Sequence, residues 1–147
     1  MKAVRRVYEH LFRRAVYPFY ESGLKRRSTL RYLAEYEQNQ WLPAERIQAM
    51  RWEKLQTLIA HCWQRVPFYR DHWGRAGMSD PSEIRSLEDY ARLPVLTKRN
   101  LREEFERLKA DSYRDDLLYK TTGGSTGEPV TIGYTRESYE RRTAVML

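Results

Sequence analysis

Residues 121–129 read Thr121-Thr122-Gly123-Gly124-Ser125-Thr126-Gly127-Glu128-Pro129, three glycines and four hydroxyl side chains in nine positions. Glycine lets the backbone adopt φ > 0 and lets a ligand approach the main chain closely. Successive amides in such a turn form a concave nest for an anion. Thr121, Thr122, Ser125 and Thr126 each add a hydroxyl donor. A polyphosphate is the obvious ligand for so many neutral donors. The bland alternative is a glycine-rich hairpin turn, for which two to five residues suffice.

The flanks decide what the loop connects. Residues 117–120 (LLYK) read as a short buried strand. Val130, Ile132 and Tyr134 alternate with Thr131 and Gly133, the period of a half-buried strand. The loop therefore joins strand to strand. A Walker A loop joins strand to helix and needs a lysine where Glu128 stands. A dinucleotide fingerprint also needs a helix after its glycines. A kinase glycine-rich loop sits in a hairpin, but with different spacing and a following lysine strand that is absent here.

With these flanks, residues 121–129 resemble the phosphate-binding loop of the adenylate-forming enzymes, the acyl-CoA synthetase superfamily. Residues 66–70 (VPFYR), 93–102 (LPVLTKRNLR) and the region 33–41 resemble the phenylacetate–CoA ligase-like branch, including its members from capsular polysaccharide clusters. The resemblance implies an ATP-dependent, AMP-forming acid–thiol ligase. A carboxylate is activated as an acyl-adenylate and passed to coenzyme A, with Mg2+ neutralising phosphate charge. It makes Thr121, Thr122, Gly123, Gly124, Ser125, Thr126 and Gly127 the ATP phosphate contacts, with Pro129 shaping the loop. One departure stands out: most of the superfamily has lysine just after the loop proline, where this chain has Val130. Members of the branch often lack that lysine. Glu128 makes the local field less favourable to an anion.

The implied fold is α+β. A mainly helical N-terminal region is followed by a β-hairpin carrying the glycine-rich loop, all part of the large N-terminal domain of an adenylate-forming enzyme. Basic helices occupy 1–42, a helical region 43–110, and the hairpin with the start of the next helix 111–147. No stop signal precedes Leu147. The expectation is an incomplete domain, inactive by itself, whose catalytic residues lie elsewhere.

Of the 147 residues, 41% are hydrophobic, and the net charge is +7. The excess of positive charge sits early, at Lys2, Arg5, Arg6, Arg13, Arg14, Lys25, Arg26, Arg27 and Arg31. No RNA-recognition or zinc-finger pattern accompanies it, so nucleic acid is not an expected partner. The expected partner is a small carboxylic acid, with a homodimer as the assembly. No transmembrane run and no signal peptide is visible, which makes the cytoplasm the default. Cys62 reads as a reduced, buried thiol, and the histidines show no ligand spacing, so no metal site is expected.

Residues 1–19 read as an amphipathic helix ended by Pro18 and Gly23, with Val4, Val7, Tyr8, Leu11, Phe12 and Ala15 on its apolar side. Docking of that side on the protein body is the preferred reading, an anionic membrane surface the other. Such a membrane- or partner-binding module without enzymatic activity is the alternative function. A helix follows over 29–40. The longest, 44–65, has a stripe of Ile47, Met50, Leu55, Leu58, Ile59, Cys62 and Val66, and Pro67 stops it. Phe68, Tyr69 and Trp73 read as core rather than as a base-stacking platform, with Gly77 closing their helix. Ser86 and Thr97 cap short helices, the second burying Leu101, Phe105 and Leu108. A last helix starts near Arg136, with Tyr139 and Val145 or Met146 turned inward.

Overall fold

The computed structural model describes residues 8, 10–113, 116–123 and 129–147, and of Arg13 the backbone only. The helices are α1 (Thr29–Asn39), α2 (Ala44–Arg65), α3 (Pro67–Gly74), α4 (Leu87–Ala91), α5 (Lys98–Glu103) and α6 (Arg136–Val145). The strands are β1 (Leu118–Thr121) and β2 (Thr131–Tyr134), and π-helical turns occur at Phe12–Val16 and Phe19–Leu24. The described chain is thus mostly helical with one two-stranded antiparallel hairpin, the α+β pattern expected. It divides into two compact units. One comprises the chain up to Pro43 with Arg136–Leu147, the other Ala44–Thr135.

In the first unit the N-terminal helical segment does not stop at Pro18 or Gly23. Pro18 keeps helical dihedrals (φ −59°, ψ −42°), and the segment runs on to Leu24. Proline lacks an amide hydrogen, and its ring crowds the carbonyl four residues back. The winding on either side is of the wider π type, with the Tyr17 amide reaching the Phe12 carbonyl. The stop comes at Arg26, whose φ is +50°. That left-handed conformation costs a non-glycine residue roughly 1–2 kcal/mol. Three hydrogen bonds hold the corner. The Lys25 amide donates to the Tyr20 carbonyl, the Arg27 amide to the Glu21 carbonyl, and the Arg136 guanidinium to the Lys25 carbonyl, all at 2.9 Å. Val4 and Val7 lie outside the described residues.

α1 packs on α6. Thr29 and Tyr32 of α1 and Glu140 and Ala144 of α6 are buried, while Val145 and Met146 are exposed and Tyr139 is near the surface. The inward face of α6 therefore carries Glu140 and Ala144, not the residues expected. Ala144 allows close approach, and Glu140 finds a donor, the Ser28 amide at 3.0 Å, at the start of α1. The Arg141 guanidinium lies 4.0 Å from the centre of the Tyr32 ring, a cation–π contact.

In the second unit α2 ends at Arg65 because Val66 turns extended (φ −116°, ψ 104°) before Pro67, which opens α3 at its first turn. Ile59, Trp73, Met78 and Ile84 form the core, with Trp52, Leu55, Cys62, Trp63, Tyr69 and Leu93 against it. The aromatics of α3 are core, as expected, and Gly77 (φ +96°) turns the chain after them. Leu58, expected in the stripe, is exposed.

Caps start the short helices. Thr97 and Asn100 form a reciprocal capping box at α5, and Ser86 accepts from the Asp89 amide at α4. A second box, Asp80 with Glu83, starts a single 3-10 turn. α5 closes at Glu103, before Phe105 and Leu108, which were expected inside it. Glu104 leaves the helical region there (φ −112°, ψ 20°). Further on, the Arg107 carbonyl accepts the Phe68 amide at the start of α3 (3.1 Å). The Arg107 side chain also bonds Asp71 and Glu104.

Candidate functional site

The register pairs Leu118 with Tyr134, Tyr119 with Gly133, Lys120 with Ile132 and Thr121 with Thr131. One further rung closes the base of the loop. The Thr122 amide donates to the Val130 carbonyl at 2.9 Å, and the Val130 amide donates to the Thr122 hydroxyl at 3.0 Å. The Thr121 and Thr131 hydroxyls lie 3.2 Å apart across the strands. Gly123 and Pro129 thereby stand at the two ends of the segment that links the paired strands. Of the expected phosphate contacts, the structure brings Thr121, Thr122 and Gly123 to one end of the hairpin, with Pro129 across from them. Gly124, Ser125, Thr126 and Gly127 lie outside the described residues, as does Glu128.

The Thr122 hydroxyl thus serves the loop base, a role that sequence reading missed. Gly123 differs: a Cβ built there would meet none of the described residues within 4 Å, and its φ is not in the left-handed region. The described residues around it impose no need for glycine. Gly133 is the opposite case, because a Cβ there would lie 3.1 Å from Leu117 Cδ1 and 3.4 Å from Tyr119 Cε1. Its missing side chain leaves room for the Leu117 and Tyr119 side chains beside β2.

Burial in the hairpin is lower than its sequence suggests. All four residues of β1 are exposed, correcting the reading of a buried strand. In β2, Ile132 is 49% exposed, although Val130 is buried. A lone pair of strands has two faces and two edges, and the described residues cover only part of one face. That cover comes from Phe105 and Lys109. The Phe105 and Tyr119 rings lie 6.0 Å apart, and Lys109 Nζ sits 4.8 Å and 5.3 Å from their centres. Lys109 pairs with Glu106 at 2.6 Å, and this hydrogen bond raises its pKa, keeping the ammonium charged beside the hairpin. Lys120, exposed on β1, is the cation nearest the loop in sequence.

The second unit also has a cavity of about 350 Å³, lined by Leu55, Ile59, Cys62, Tyr69, Trp73 and Leu93 among others. No charged side chain lines it, so it offers nothing to a phosphate. Burial pushes the Cys62 thiol up to about 11, which leaves it protonated and unreactive at neutral pH. Among the described residues no cluster of three or more His, Cys, Asp or Glu could hold a metal ion. No described helix is long and apolar enough to cross a membrane.

No protein-family model matches the chain. Among curated proteins it is 38% identical to the phenylacetate-coenzyme A ligase of Thermus thermophilus over 96 residues, 65% of this chain and 21% of that enzyme. It is 28% identical to the Escherichia coli phenylacetate-coenzyme A ligase over 97 residues, 65% of this chain and 22% of that enzyme. The Pseudomonas putida enzyme of the same name is 29% identical over 85 residues, 57% of this chain and 19% of that enzyme. Over more than half of its length the chain is therefore similar to phenylacetate-coenzyme A ligases, and it spans about a fifth of the length of these relatives.

Proposed function

We propose that the chain is the phosphate-loop part of an ATP-dependent, AMP-forming acid–coenzyme A ligase of the adenylate-forming superfamily. The observation that carries this is the 38% identity over 96 residues to an enzyme named phenylacetate-coenzyme A ligase. The hairpin supports it physically. Its closing rung at Thr122 and Val130 holds a seven-residue loop, more than a bare turn requires. The open space beside Gly123 leaves room for a ligand against the main chain.

In this reading the segment from Thr121 to Gly127 holds the ATP phosphates, with the Thr122 amide and hydroxyl fixing the base of the loop on Val130, and Pro129 sets the exit of the loop. Mg2+ supplies positive charge there, which matters because Val130 stands where a lysine is usual. Lys120 is the protein cation placed to share that load. The contribution of this segment is positioning and electrostatic stabilisation while the acid carboxylate attacks the α-phosphate. Coenzyme A then accepts the acyl group, and the names of the relatives make arylacetic acids the first substrates to test. The complete coding product, incubated with ATP, Mg2+, coenzyme A and phenylacetate or its ring-substituted analogues, is expected to release AMP and pyrophosphate only when an acid is present. Absence of acid-dependent AMP across that panel and a set of aliphatic acids overturns the reading.

A further inference from the structure

The whole net charge of the chain lies in its first 31 residues. They hold nine Lys and Arg against two Glu, a net +7, and the remaining 116 hold eighteen of each sign. The helical segment in this stretch is inverted with respect to an ordinary surface helix. Its buried side chain is Glu21, at 4% exposure, which accepts from Arg27 at 3.3 Å and from Thr29 at 3.5 Å. Its apolar side chains face solvent: Tyr8, Leu11, Phe12, Val16, Phe19, Tyr20 and Leu24 are all exposed, Phe19 by 67%. The expected docking of this apolar side on the protein body is therefore not what the described residues show. Arg14, Lys25 and Arg26 are exposed among them. Tyr8 stacks on Phe12 and Phe12 lies against Tyr17, each pair with centres 6.1 Å apart, so the aromatics form a column.

We propose that residues 10–24, together with Tyr8, form a peripheral docking element for an anionic lipid surface. The apolar and aromatic side chains enter the headgroup boundary, and the surrounding arginines and lysines meet the lipid phosphates and carboxylates. Three features select this occupant. Exposed Leu, Val and Phe gain nothing from nucleic-acid phosphates but gain from an acyl boundary. Tyrosine rings favour the membrane–water interface. The net +7 of the first 31 residues, which flank and include this segment, matches an anionic leaflet and would repel a second copy of itself. The proposal is independent of the ligase reading, since none of these residues belongs to the phosphate loop.

The test uses the purified complete coding product and sedimentation with vesicles of phosphatidylcholine, without or with about 30 mol % phosphatidylserine, a typical anionic surface. Binding to the anionic vesicles alone is expected. It should fall by at least about tenfold when salt shrinks the Debye length from roughly 10 to 3 Å. Leu11→Ser with Phe19→Ser should also lower it by about tenfold or more, since two apolar anchors are lost. Far-ultraviolet circular dichroism checks that this variant is folded. If it is not, Arg14→Glu with Lys25→Glu provides the same comparison through charge. No binding to anionic vesicles, or binding that neither variant weakens, overturns the proposal. So does DNA-duplex binding without vesicle binding, or a dimer that the serine variant converts to monomer without vesicle binding.

Discussion

Thr122 and Val130 share three hydrogen bonds, but only one is a ladder bond: the Thr122 amide meets the Val130 carbonyl, whereas the Thr122 hydroxyl accepts from the Val130 amide and donates to the Val130 carbonyl. A side chain thus completes the rung at the point where the strands part. The loop that follows begins at a fixed place, because the last pairing does not depend on the loop backbone.

Thr122→Val keeps the shape and removes the acceptor, leaving the Val130 amide unpaired. A part-buried bond of this kind is worth about 1 kcal/mol. Val130 amide exchange should quicken roughly fivefold, while Thr122→Ser should leave it near wild type. Unchanged protection in the valine variant would show that the hydroxyl does not hold the loop base.

Gly123→Ala separates the needs of the fold from those of a ligand. None of the described residues lies within 4 Å of the new methyl, and no positive φ opposes it. Stability should stay within about 0.5 kcal/mol of wild type. In the complete enzyme, acid-dependent AMP release should still fall at least about tenfold, since the methyl takes the space proposed for phosphate. Full activity would remove Gly123 from the site.

Ser125→Ala with Thr126→Ala takes two proposed donors from the loop. Losing one preorganised donor costs roughly 10²–10³ in rate. Pyrophosphate–ATP exchange with the cognate acid should drop at least that far. A rate within a factor of about two of wild type, under 1 kcal/mol, would sink the phosphate role.

Glu140 ties α6 to α1 by accepting the Ser28 amide and the Arg136 guanidinium. Glu140→Ala leaves that amide without its acceptor and should cost about 2 kcal/mol, the scale of a hydrogen bond to a charged group. In a chain of this size that is a fall in Tm of roughly 4–8 °C. Glu140→Gln keeps an acceptor and should lose less. Thermal melts followed by circular dichroism give the comparison, and an unchanged Tm in the alanine variant would mean that the tie carries no stability.

Cys62 has its thiol raised to about 11 by burial. A raised thiol pKa means that the folded state binds the proton more tightly than the unfolded chain. Stability from this group is complete below the ordinary thiol pKa and is lost as pH climbs through about 11. Iodoacetamide at pH 8 should react at least about tenfold more slowly with the folded chain than in denaturant, after allowing for the greater nucleophilicity of a higher-pKa thiolate. Equal rates would place the thiol in solvent.

The chain's punctuation was legible in sequence because it acts through its own neighbours. Pro67 ends α2, Gly77 turns the chain after α3, Thr97 caps α5, and residues 117–134 read as a hairpin around a glycine loop. Each rests on a local property: a missing amide, a permitted positive φ, a hydroxyl three residues before an open amide. The aromatic core of α3 was legible for a related reason, since i,i+4 spacing already places Tyr69 and Trp73 on one side of the helix, their rings 4.7 Å apart. The extent of α5 was not, because it is set by Glu104 leaving the helical region (φ −112°, ψ 20°), a position with no glycine, proline or cap to mark it.

What the sequence by itself determined is the order and kind of the elements and the position of the loop between two strands. Only the tertiary structure decided which faces turn inward. Glu21 and Glu140 are buried while Leu58, Ile132 and Val145 are not, the reverse of what hydrophobicity alone assigns. A carboxylate can be buried where donors wait for it. Thr29 and Arg27 wait for Glu21, and the Ser28 amide, 112 positions away, waits for Glu140. Burial is a property of the partner as much as of the residue, and a partner at that distance leaves no periodic trace in the chain.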